Sequence, residues 1–261
     1  LPVMALLGTL YVQLLAQRYG QQSLRAYAEI RVSQVAPAAG RASSLAVAGM
    51  VRMQGGDWVL VRDSGVHLAP AANAPLTVDD LLVIEHGDEE SLIGPNQPGR
   101  LLAVTTQWLE DLPVRVSLER DWQNIGVTLD NQTPWRVRNA FYVDRERYAY
   151  LGDAPPGESV TTSFPAYQFM VASDAFSPEW LAASVASVAQ RQDPKSDPRQ
   201  LEGLKRIVTH ALTPDRQSSE LPWGYPLVVA VIDTPVTPPV AEDFVGVGYH
   251  FLVIPLGSLF E

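Results

Sequence analysis

The sequence predicts a mainly β protein: two β-sandwich-like lobes, a short two-helix insertion in the second, and an N-terminal apolar helix. Three observations carry this. There are 21 prolines in 261 residues, and proline is excluded from helix interiors and central strands, so the chain must turn often. Short alternating or apolar runs recur between turn signals at the roughly 8–12-residue spacing of sandwiches. Only two segments behind the apolar start take up a helical period, each opened by a capping residue and a proline. Apolar residues make up 46% and charged residues 18%, enough for real cores and too apolar for disorder. The length suits two domains at the usual ~100–150 residues each. The expected division is an apolar helix over 1–25, a β-rich lobe over 26–119 and a second lobe over 120–261 with its helical insertion at 177–212.

In the first lobe, residues 26–35 (AYAEIRVSQV) alternate as a strand does, and Pro37 and Gly40 then turn the chain. Residues 44–53 (SLAVAGMVRM) form a second strand. Gly55-Gly56 predicts a hairpin joining that run to Trp58–Arg62. Residues 66–76 read as loop, with Pro70 and Pro75 inside. Strands are expected at 81–85, 101–106 and 113–119, with turns at His86-Gly87-Asp88 and Gly94-Pro95-Asn96.

The second lobe opens with strands at Ile125–Leu129, Trp135–Val143, Tyr148–Leu151 and Glu158–Phe164. They are separated by Asn131-Gln132-Thr133-Pro134, Gly152-Asp153 and Pro155-Pro156-Gly157. Ser177-Pro178-Glu179 caps a helix over 179–191, with Leu181, Val185 and Val188 on one face. Asp197-Pro198 caps a second over 199–212, striped by Leu201, Leu204, Ile207, Val208 and Leu212. The polar Gln192–Ser196 connects them. Pro226–Ile232 is apolar almost throughout, as a strand buried on both faces must be, and Val247–Pro255 is the last strand.

Leu1–Gln17 carries no charge, and Arg18 is the first charged residue. A spanning helix needs ~20 apolar residues. Three readings stay open: the outer end of a transmembrane helix, the remnant of a signal peptide, or an apolar core helix. Arg18 and Arg25 suit an anchor at a membrane edge.

Net charge is −10, and no basic run exists to displace counterions from phosphate, so nucleic acid is not an expected partner. The absence of cysteine excludes disulfides, thiolate nucleophiles and Cys-type metal sites. None of the four histidines, 67, 86, 210 and 250, pairs with another at i, i+4. His250, between Tyr249 and Phe251, reads as a hydrogen-bonded core histidine, and His210 as a last-turn cation on a helix. Glu85–Glu90 lacks a calcium-loop pattern and reads as a solvated turn. Asp121, Asp144, Asp153 and Asp233 form no evident glycosidase pair. No G-x-S-x-G elbow, P-loop or dinucleotide fingerprint occurs, and Ser64 reads as a turn residue. Asn131-Gln132-Thr133 matches a glycosylation acceptor formally and a strand-connecting turn more simply. The six tryptophans are scattered. No catalytic residue, cofactor or metal is expected.

One stretch adds a family likeness. Asn131–Thr133, then Val137-x-Asn139-Ala140, Tyr148-x-Tyr150-Leu151-Gly152-Asp153 and Pro156-Gly157-Glu158-Ser159 follow one another across Ile125–Thr162. The segment resembles the immunoglobulin-like extracytoplasmic modules of uncharacterised bacterial membrane proteins. The resemblance covers about a third of the chain and implies a non-catalytic scaffold or accessory role in an envelope assembly. Its location would be the extracytoplasmic or periplasmic face of a bacterial membrane. Expected partners are other membrane or envelope proteins, with membrane contact through the N-terminal helix. The loop Leu221-Pro222-Trp223-Gly224-Tyr225 is the expected interface, with Leu221, Trp223 and Tyr225 as contacts. Two alternatives are a carbohydrate-binding or carbohydrate-processing envelope protein and a soluble small-ligand-binding protein; sandwich folds host all three.

Overall fold

The computed structural model describes residues 25–36, 40–52, 56–61, 67–70, 82–86, 89–96, 101–144, 147–166, 177–213, 226–235 and 245–257. Side chains are described at 27–36, 40–49, 107–144, 147–166, 177–213, 226–235 and 246–257. The described chain is mainly β with two helices, as its turn density requires. The expected N-terminal helix over 1–25 and the expected interface residues Leu221, Trp223 and Tyr225 lie outside the described residues, apart from Arg25, which opens the first strand.

The chain forms two compact units. One takes the residues up to Arg31, Leu45–Leu109 and Pro235–Gly248; the other takes Val32–Ser44, Glu110–Thr234 and the residues from Tyr249 onward. Four strands divide their residues between the units: β1 (Arg25–Ala36), β2 (Arg41–Arg52), β7 (Leu101–Asp111) and β14 (Val245–Pro255).

In the first unit, β3 (Gly56–Val61), β5 (Leu82–His86) and β6 (Glu89–Asn96) form a small antiparallel sheet in the order β3-β6-β5. β5 and β6 pair antiparallel with His86 opposite Glu89 and Glu85 opposite Glu90, while Gly87 and Asp88 of the expected turn lie outside the described residues. Three local expectations do not hold. The Gly55-Gly56 hairpin is not formed: β3 pairs with β6, Trp58 opposite Gly94. Gly94-Pro95-Asn96 is strand rather than turn. Pro95 fits there because the β5 pairing ends at Leu82 opposite Ile93, so its missing N–H breaks no ladder on that side. Within the expected loop 66–76, β4 (His67–Pro70) pairs with β7, His67 opposite Gln107.

The second unit is layered. The larger sheet runs β11 (Tyr148–Ala154), β10 (Val137–Val143), β13 (Leu227–Ile232), β14, β1, β2, β7, β4. A three-stranded sheet of β12 (Glu158–Pro165), β9 (Asn124–Asn131) and β8 (Val114–Arg120) supplies a second layer. Helices α1 (Pro178–Gln192) and α2 (Pro198–Leu212) supply the third. Ser177 accepts a hydrogen bond from Trp180 N at 3.2 Å and Asp197 one from Arg199 N at 2.8 Å, the caps the sequence announces.

Strand β13 lies at the centre of these layers, and all six of its residues are buried. Alternation sends Val228, Ala230 and Ile232 into a core shared with Val127 and Leu129 of the small sheet. It sends Leu227, Val229 and Val231 into a second core with Leu181, Val185, Leu204 and Val208 of the helices. Burying each such side chain contributes about 1.5–3 kcal/mol. Gly203 sets the spacing of α2 from the sheet: a Cβ there would lie 2.4 Å from the Phe251 ring of β14.

Candidate functional site

Two features stand out. One is polar and buried, the other apolar and exposed.

The buried feature belongs to the second unit. Strand alternation points Ser33 of β1, Ser44 of β2, Glu110 of β7 and His250 of β14 to one face of neighbouring strands. Ser44 donates to the Glu110 carboxyl. Ser33 Oγ lies 2.5 Å from Ser44 Oγ and 3.2 Å from the Glu110 carboxyl. His250 Nε2 is hydrogen-bonded to Ser33 Oγ at 2.6 Å and Nδ1 to Thr234 Oγ1 at 3.0 Å, the donor in each following the imidazole tautomer. The result is a hydrogen-bonded chain linking imidazole to carboxyl through two hydroxyls. It has a serine and a histidine within reach of each other, but Ser33 and Ser44 have no exposed surface and His250 is 4% exposed. A nucleophile must be reachable by its substrate. Nδ1 meets the Thr234 hydroxyl. What the arrangement does is satisfy inward-facing polar groups of four strands at once, which fixes their register.

The other sequence candidates are structural in the same sense. Asn131 is fully buried. Its amide nitrogen donates to the carbonyls of Trp135, Ala154 and Pro155 at 2.8, 2.9 and 3.1 Å. Its oxygen accepts from Thr133 N and Oγ1. The Asn131–Thr133 triplet is therefore a turn lock, and its amide is not presented to solvent. Asp121 holds its own turn through Gln123 N, 2.6 Å away. Asp144 pairs with Arg147 at 2.8 Å, Asp153 with Arg136 at 2.8 Å and Asp233 with Arg138 at 2.7 Å. Asp153 also accepts from Asn139 N at a bulge where Asn139 takes φ 49°. Tyr249 donates to Asp197, which lies below the usual carboxylate range because of that bond. The Tyr249 phenol is pushed up to about 12, first by burial and then by the same carboxylate. His210 is exposed in the last turn of α2. The side chains of His67, His86 and the Glu85–Glu90 stretch lie outside the described ones, and Ser64 outside the described residues. Among the described residues, no three His, Asp or Glu side chains gather as metal ligands. No helix among them is long and apolar enough to cross a membrane.

The exposed feature belongs to the first unit. Tyr27, Glu29 and Arg31 share one face of β1, where Tyr27 donates to Glu29 and Arg31 bonds Glu29 at 2.9 Å. Arg31 lies over the Trp108 ring of β7 at 4.8 Å, and a Cβ on Gly246 of β14 would meet Tyr27 at 3.2 Å. These contacts fix which residues share that face. Alternation then places Ile30, Leu45, Val47, Leu109 and Val247 together on the opposite face of β14-β1-β2-β7. They are 48, 44, 48, 83 and 44% exposed. In β2 the usual arrangement is inverted. The small Ala46 and Ala48 point inward at 3% exposure each, and the larger Leu45 and Val47 point outward. Single exposed aliphatics are ordinary; five on adjacent strands make a patch of the kind that marks an interaction surface. The expected contact loop is a different segment, and the signal for this face was the outward parity of large residues in 44–53.

No family model and no curated protein matches the chain. Among solved structures it is similar to a yeast delta-COP-I mu-homology domain complexed with a Dsl1 WxWxV peptide. Identity is 7%, coverage is 90% of this chain and 96% of that one, and the TM-score is 0.30, a level that carries no argument about fold or function.

Proposed function

We propose that the chain is a non-catalytic scaffold or accessory module of a membrane-bound envelope assembly, and that it docks through the Ile30–Leu45–Val47–Leu109–Val247 face. The observation that carries the docking half is the row of large aliphatics held outward on one sheet face, with alanines on the inward side of β2. The run Leu1–Gln17, uncharged and mostly apolar, supports the membrane half. The buried state of the Ser33–His250 pair supports a non-catalytic reading of that pair.

The test is made on the native gene at its natural level. Alkaline carbonate extraction and protease digestion of intact spheroplasts report anchoring and sidedness. Co-purification in mild detergent reports partners, with Val47→Asp/Leu109→Asp as the comparison. The expected result is a membrane-retained, externally cleaved protein whose partners are lost in the double variant at an unchanged melting temperature. Unchanged partners in the variant would remove the face from consideration, and release by carbonate would remove the anchor.

A further inference from the structure

We infer that the occupant of this face is a second copy of the same chain, packed face to face about a two-fold axis. The inference rests on the docking reading above and names its partner.

Charge is the first argument. The chain carries a net charge of −10, so two copies repel wherever their charged surfaces meet. The described part of this face in the first unit is uncharged: Ala28 and Gln107 complete the row, and Arg31 and Glu29 lie on the opposite side, bonded to each other. A partner chosen by opposite charge is recognised through fixed charges aimed at it. This row offers none, so it does not select a basic partner. The next charges at the same outward parity of β2 and β7, Arg41 and Asp111, pair with each other at 3.4 Å, so two acidic copies can meet over a row whose flanking charges cancel.

Shape is the second argument. A two-fold interface uses one patch twice, so the patch must complement itself. Sheet faces pack on one another about 10 Å apart through interdigitating aliphatic side chains, in aligned or orthogonal orientation. Ile30, Leu45 and Val47 come from the adjacent strands β1 and β2, with Leu109 and Val247 on the strands to either side. Leu109 stands out furthest, at 83% exposure. In a two-fold pair, the Leu109 of each copy has the aliphatic row of the other to enter.

Area is the third. Five aliphatic residues at these exposures present on the order of 500 Å², and two copies roughly 1,000 Å², the lower bound of specific interfaces. The dimer is therefore expected to be concentration-dependent, with dissociation in the micromolar range.

The absence of native cysteine makes a single-site probe clean: Leu109→Cys is the one thiol in the chain. Sedimentation of the 261-residue chain, in mild detergent, is measured from ~1 to ~200 µM alongside the labelling rate of Leu109→Cys with a polar maleimide. The expected result is a monomer at the low end and a dimer at the high end. Labelling should slow at least about tenfold as the dimer fills, and Val47→Asp should stay monomeric throughout with an unchanged melting curve. A monomer at every concentration with fast labelling overturns the second copy and leaves the docking face open to another partner. A monomer that refuses label at every concentration means the chain covers its own face, which overturns both readings. A dimer whose labelling and Val47→Asp response are unchanged uses another surface, and the inference fails.

Discussion

Strands β13 and β2 are both rich in aliphatic residues, and the structure treats them oppositely. In β13 both parities are buried: Val228 and Ala230 meet the three-stranded sheet, Val229 and Val231 the helices. In β2 one parity is buried and consists of small residues, Ala46 and Ala48, while Leu45 and Val47 on the other parity are nearly half exposed. Aliphatic content alone therefore does not locate a core. What separates the two strands is whether each face has a layer to meet. In β13 the large residues are shared between two cores. In β2 they stand on the side where the described structure leaves them exposed.

The largest effect is expected where burial and hydrogen bonding coincide. Asn131 closes the turn between β9 and β10 with an amide nitrogen aimed at three carbonyls. Asn131→Ala removes the side-chain donor from the Ala154 and Pro155 carbonyls and the acceptor from Thr133 N, while Thr133 Oγ1 and the Trp135 carbonyl keep each other, at about 3 kcal/mol or more in a urea melt. Asn131→Asp is the sharper variant, because it keeps the size and places an oxygen against the same carbonyls. It is expected to be at least as damaging as alanine. If aspartate were tolerated, the amide donors would not be what holds the turn.

Next comes the helix-to-sheet contact that makes β13 and β14 doubly covered. Gly203→Ala puts a methyl 2.4 Å from Phe251 Cζ, closer than carbon atoms come. Either the ring or α2 must move, and the overpacking is expected to cost about 1–3 kcal/mol by the same measurement, despite alanine's better helix propensity. Pairing it with Phe251→Leu should recover part of the loss. Full additivity would mean that the two positions do not clash.

Much of this was legible in the sequence, and the legible parts share a cause. Both helices were announced by local chemistry, Ser177-Pro178 and Asp197-Pro198 ahead of a 3.6-residue period, and both start where those residues put them. The burial of β13 was legible because an uninterrupted apolar strand has no solvent face to offer. Asn131–Thr133 was legible as a turn from residue type. What failed was pairing across distance. Gly55-Gly56 reads as a reversal from residue type, yet β3 pairs with β6, Trp58 opposite Gly94, far along the chain. The Ser33–His250 relay joins residues 217 apart, and no local period encodes that. A trace of it existed: β1 places Tyr27, Glu29, Arg31 and Ser33 on one parity, a polar column that needs partners if it faces inward.

The comparison between β13 and β2 can be put to a direct trial with one substitution made twice. Val229→Ala removes two methyl groups from a fully buried site between the sheet and the helices, and about 2–3 kcal/mol of stability should go with them. Val47→Ala removes the same two groups from a side chain 48% exposed, and the stability of the isolated monomer should change by less than ~0.5 kcal/mol. The same Val47 variant should weaken dimerisation, since the groups lost are those the second copy would bury. A stability loss at Val47 as large as that at Val229, measured on monomer at high dilution, would mean that Val47 is already packed within the chain, and the outward face of β2 would then be a second core rather than a docking surface.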